Sequence, residues 1–283
     1  MEYVLRLLFF EVLGIGVIAA AVKSFRLRDR WLKSRNTIEG KLLRSPGESL
    51  RQESQSLNDW LMGLLAGIAA TPAILLGQMP RTISGSSIAI MAVGIVAWAV
   101  PLIYLLGLRR NLELRLRGQR AVAEELNRLM LDGCHVFHDY PAGPDWNIDH
   151  IVIAPSGVYA IETKTRRKTD VHGKKAHEVI FNGTQLIFPN GRDAEAPEQA
   201  RRNAVGLSSE LTAAMAEPID VKALLALPGW VDTRTGEGDV KVNVLNPQDI
   251  RQAIITNEKP RLTSSQLQRI TSEIEQKCRD VEL

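Results

Sequence analysis

Two uncharged apolar runs constrain this chain more than anything else in it. "WLMGLLAGIAATPAILL" covers Trp60 to Leu76 and "IAIMAVGIVAWAVPLIYLLGL" covers Ile88 to Leu108, with no Asp, Glu, Lys or Arg in either. Each is about long enough to cross roughly 30 Å of hydrocarbon. Buried core helices would need a large apolar domain around them, and none is visible. The expectation is a transmembrane hairpin at 60–76 and 88–108. Val4 to Val22 is apolar too but carries Arg6 and Glu11, and the basic run Lys23, Arg26, Arg28, Arg30, Lys33 and Arg35 follows it. That run resists translocation, so residues 4–22 are read as a possible retained span over a cleaved signal.

Basic residues flank the hairpin on both outer sides, with Lys41, Arg44 and Arg51 before it and Arg109, Arg110, Arg115 and Arg117 after it. Its connecting loop holds only Arg81. This bias predicts a multi-pass protein of the inner, cytoplasmic membrane with its C-terminal domain in the cytoplasm. Cys134 and Cys278 fit a reducing compartment and exclude a disulfide framework or a cysteine-rich zinc site. Residues 1–117 hold 15 basic and 8 acidic groups, and residues 118–283 hold 20 and 24. The basic balance therefore belongs to the membrane-anchoring region at 1–117 and to a lipid bilayer as its partner. Any affinity of the remainder for nucleic acid must rest on local patches.

Beyond a polar linker, "RRNLELRLRG", the remainder reads as an α/β domain. "QRAVAEELNRLMLDG" places Val122, Leu126, Leu129 and Met130 at helical spacing, with Gly133 closing the helix. "CHVFHDY" is a strand, and "NIDHIVIAPSGVYAIETK" is a hairpin turning at "PSG". A second hairpin flanks Asn182-Gly183. A helix from "EAPEQARRNAVGLSSELTAAMAE", strands in "VKALLALPGW" and "DVKVNVL", and a short helix in "NPQDIRQAII" follow. An amphipathic helix fills 259–283.

The first hairpin carries Asp149, Glu162 and Lys164 among apolar residues, although buried charge is costly unless it is paired or binds a metal. Alternation puts Glu162 and Lys164 on the face of Val158 and Ala160, and Asp149 on the face of Ile151 and Ile153. An even number of turn residues, or a bulge, brings Asp149 level with Glu162 or Lys164. Two converging carboxylates suit Mg²⁺ or Mn²⁺, and an ammonium beside them suits phosphodiester hydrolysis. The same spacing also describes a salt bridge between Asp149 and Lys164.

"QRAVAEELNRLM…GCHVFHDYPA…WNIDHIVIAPSGVYAIETK" closely resembles the nuclease-related domain (NERD) family, as does "NGTQLIFPNGRDAEAPEQARRNA". The resemblance covers most of 118–255, within a domain set at 118–258. It implies a restriction-endonuclease-like PD-(D/E)xK fold, a mixed sheet flanked by helices with an αβββαβ core. It also implies an enzyme that hydrolyses nucleic acid, DNA ahead of RNA, with Mg²⁺ or Mn²⁺ on Asp149 and Glu162 and with Lys164 orienting water. Family members commonly carry a glutamate where this chain has Gln119. Either Glu125 substitutes as a catalytic carboxylate or the site is weakened, which leaves a catalytically weak nucleic-acid- or protein-binding module as the alternative. Gln199 and Arg202 on the second helix are candidate substrate contacts by family analogy. Arg166 and Arg167, within "KTRRK", could steer a nucleic-acid backbone. His150 points to the opposite face from Asp149 and is read as a structural hydrogen-bonding residue.

Overall fold

The computed structural model describes residues 40–78, 85–143, 146–168, 177–234, 241–256 and 261–282, with scattered positions between 16 and 31. The possible span at 4–22 falls almost wholly outside them. The chain divides into two compact units, one of Gly40–Leu50 with Leu114–Glu282, the other of Met1–Glu39, Arg51–Glu113 and Leu283.

In the second of these, helices cover both apolar runs. Helix α1 spans Glu48–Gln78 and helix α2 spans Gly85–Asn127. Among the described residues one helical segment, Ala92–Asp132, is long and apolar enough to cross a membrane, with a mean hydropathy of 1.8 over its most apolar window. Its Val93, Ile95, Val96, Val100, Ile103 and Tyr104 are exposed. The expected linker at 109–118 does not exist as a break, because α2 runs straight through it. Leu, Arg and Glu are strong helix formers, and Arg109 pairs with Glu113 one turn later at 3.1 Å.

The other unit is a mixed α/β domain. Strands β2 (His135–Gly143), β3 (Trp146–Ala154) and β4 (Gly157–Thr163) run antiparallel in sequence. Strands β5 (Glu178–Phe181), β6 (Leu186–Phe188) and β7 (Gly191–Asp193) then lead into helix α3 (Glu195–Met215). Strand β8 (Val221–Ala226) returns parallel to β4, and β9 (Val231–Arg234) and β10 (Val242–Leu245) follow. The main sheet has the order β10-β8-β4-β3-β2, and a smaller one has β7-β6-β5-β9. The C-terminal part of α2, β2 to β4, α3 and β8 form the expected αβββαβ core, with β5 to β7 inserted before α3.

Alternation along the central strands divides the interior. Ile151, Ile153, Val158 and Ala160 pack with Ala200, Ala204, Leu207 and Leu211 of α3 and with Ile270 and Ile274 of helix α4 (Ser264–Cys278). Val152, Ala154, Tyr159 and Ile161 pack with Val122 and Leu126 of α2 and with Ile250 and Ile254. A helix thus covers each face of the central strands, which read as near-continuous apolar runs for that reason.

The strap at Gly40–Leu50 differs from its expected place in the membrane-anchoring region. Strand β1 (Lys41–Leu43) pairs with β11 (Arg279–Glu282), where the final helix was expected to continue. Arg44 bridges Asp139 at 3.2 Å and Asp280 at 2.7 Å. Asp139 also accepts from the Ser49 amide at 2.8 Å and from its hydroxyl at 2.5 Å, in the first turn of α1. Asp139 has a left-handed φ of 52°, which aspartate tolerates better than most residues.

Candidate functional site

The turn between β3 and β4 is Pro155 and Ser156, an even loop, with Ala154 opposite Gly157. Pairing of the two strands runs from there to His150 opposite Ile161 and stops, while β3 continues beside β2 and β4 continues beside β8 to Thr163. Continuing the register sets Asp149 opposite Glu162, at the point where the strands part. The Asp149 carboxylate fills the gap in the ladder by accepting from the Thr163 amide at 2.8 Å. Sequence alternation and an even turn are sufficient to bring the two carboxylates together.

Both are buried, at 9% and 7% exposure. Burial raises the pKa of Asp149, partly offset by the Thr163 amide and the positive charge of Arg115. Burial and the neighbouring Asp149 charge raise that of Glu162 well above the usual carboxylate range. Gln119, at the level of the strand ends on α2, donates through Nε2 to Asp149 Oδ1 at 2.5 Å. Its Oε1 is buried and has no hydrogen-bond partner among the described residues. A Cβ at Gly47 of the strap would lie 2.8 Å from that oxygen, so glycine there lets the strap close on the amide. Asn203 of α3, almost fully buried, donates to Glu162 Oε2 at 2.9 Å. Lys164 lies just beyond the strand, its charge felt at Glu162, with Nζ 2.9 Å from Asp193 Oδ2. Asp193 is itself held by the Ala196 amide at the start of α3.

Other expected site residues are placed differently. Glu125 follows Gln119 by six residues, about 240° further round the helix. Its carboxylate pairs with Arg128 at 2.9 Å, so it does not replace the missing acid. Arg202 pairs with Glu195 and Glu198 on the exposed side of α3. Arg166 stacks over the Phe188 ring at 4.6 Å and donates to the Asn190 carbonyl. Arg167 is exposed next to it. Gln199 is half-buried one turn before Asn203, on the side of α3 that reaches Glu162. His150 turns away from the pair, fully buried, with its Nδ1 2.9 Å from Nδ1 of His138. Burial lowers the pKa of both imidazoles, that of His138 to about 4.

Asn203 and Asp193 were not anticipated. Asn203 had a signal, a polar residue on the otherwise apolar stripe of Ala196, Ala200, Ala204 and Leu207. Asp193 had only the weaker one of an acid two residues before a helical segment.

A mixed sheet flanked by helices, with an aspartate, a glutamate and a lysine where its central strands part, defines the restriction-endonuclease-like class. Residues 114–228 match the family model described as Nuclease-related domain. The match suggests a nuclease-like function and interaction with nucleic acid. No curated protein and no solved structure matches the chain.

Proposed function

We propose that the protein is a metal-dependent phosphodiesterase acting on nucleic acid, DNA before RNA, held at the cytoplasmic membrane by its apolar helices. The observation that carries this reading is the meeting of Asp149 and Glu162, both buried, with Lys164 beside them. The donor set suits Mg²⁺ or Mn²⁺: two carboxylates disfavoured as bare charges, and the orphaned amide oxygen of Gln119. Asp149, Glu162 and Gln119 would hold the ion, which when bound polarises a phosphoryl oxygen and lowers the pKa of water.

The remaining work belongs to the chain. Asn203 fixes one oxygen of Glu162, and Thr163 and Gln119 fix Asp149. Lys164, held by Asp193, orients the attacking water and stabilises charge developing on the phosphorus centre. Gln199 faces the backbone of the substrate, with Arg167, Arg166 and Arg202 further out. The amide at Gln119 supports a second reading, a catalytically weak binding module on the same fold.

The test is cleavage of plasmid and single-stranded DNA by the full chain in detergent with Mg²⁺ or Mn²⁺. Lys164→Ala and Asp149→Asn should each lower the rate at least 100-fold. A parent that binds DNA but never cleaves it supports the module and ends the enzyme reading. For the anchor, alkaline carbonate should leave the chain in the membrane pellet, and a thiol at Arg81 should label from the side opposite to one at Gly40.

A further inference from the structure

The geometry points to Arg115 as the residue that receives a backbone phosphate of the substrate at this site. The inference rests on the nuclease reading above. Arg115 precedes Gln119 by one turn of α2 and so projects from the same face, about 6 Å along the axis, a distance an arginine side chain covers. It is exposed, and among the described residues it makes no ion pair or hydrogen bond. Its positive charge is felt at both Asp149 and Glu162. A guanidinium is therefore poised at the mouth of the carboxylate pair without a carboxylate of its own.

Three other cations near the site are engaged. Lys164 is held by Asp193, Arg166 by the Phe188 ring and the Asn190 carbonyl, and Arg202 by Glu195 and Glu198. Residues 118–283 carry more acidic than basic groups, so the domain as a whole repels a polyanion. Two buried carboxylates deepen that repulsion where a phosphodiester must approach. A planar, permanently charged group with paired donors offsets it and suits two oxygens of one phosphate. The contact reads backbone and not base, so it adds affinity without sequence preference.

The experiment measures binding of a fluorescein-labelled DNA oligonucleotide to the full chain in detergent and EDTA across a salt series, with Mn²⁺ binding followed separately by calorimetry. Arg115→Gln should weaken DNA binding about tenfold and reduce the slope of log affinity against log salt by about 0.7 to 0.9, one phosphate contact. Arg115→Lys should keep the slope and lose part of the affinity. Mn²⁺ should bind Arg115→Gln at least as tightly as the parent, because a competing cation has left. An unchanged affinity and slope in Arg115→Gln overturns the inference while leaving the nuclease reading standing. Loss of Mn²⁺ binding or of thermal stability along with DNA binding makes Arg115 structural and also overturns it. A parent that neither binds nor cleaves DNA removes the nuclease reading, and this inference with it.

Discussion

Gln119 sits beside the buried carboxylate pair, and its two ends do different things. The amide nitrogen donates to Asp149, and the oxygen is left over. Gln119→Glu would add a negative charge to a buried pair already disfavoured as ions. The expected outcome is a lower melting temperature without metal, and Mn²⁺ affinity above the parent's by calorimetry. Asn203→Ala acts in the opposite direction, freeing a Glu162 oxygen in a buried setting. It should cost about 1 to 3 kcal/mol in denaturant unfolding and weaken divalent binding about 10- to 100-fold. The facing of Asp149 and Glu162 was legible from alternation along one hairpin, whereas a shared role for them with Lys164 rested on the family resemblance. Asn203 was not, because its partner lies 41 positions away on a strand and only packing brings them together.

Among the elements, α2 and the strap were the least legible. The run "RRNLELRLRG" has the composition of a linker and also the propensity of a helix, and the helix on either side settles it. Residues 41–50 show neither long period nor strong pattern, and their side-chain hydrogen bonds to the rest of the domain reach partners 90 or more positions distant. Asp139 is the centre of that attachment. Asp139→Ala removes acceptors from the Ser49 amide, the Ser49 hydroxyl and Arg44. Faster hydrogen exchange over 41–50 is expected, with a melting temperature lowered by the loss of a buried charged pair. Unchanged exchange there would show that β1 and β11 hold the strap unaided. The small β7-β6-β5-β9 sheet was half visible, since Asn182-Gly183 marks its hairpin, whereas β9, the short polar stretch just past Trp230, was not anticipated.

At the scale of the whole domain, the buried imidazole pair and the buried carboxylates pull acid stability in opposite directions. His138 takes up a proton in the unfolded chain near pH 6.5, but in the folded chain only near pH 4. Between those values the unfolded state binds more protons at His138, so the contribution of this residue falls as pH falls and levels off below about 4. The loss is about 3 kcal/mol for His138, at about 1.36 kcal/mol per pKa unit. His138→Asn should flatten this part of the stability profile in urea melts at pH 4 to 7, whatever it does to stability at pH 7.

The strap also governs how the chain can be threaded. Gly40–Leu50 and Leu114–Glu282 are parts of one folded body, yet everything from Arg51 to Glu113 is spelled out between them. A cut in the stretch between positions 51 and 113 therefore leaves Gly40–Leu50 held to that body by the Arg44–Asp139 pair and by the pairing of β1 with β11.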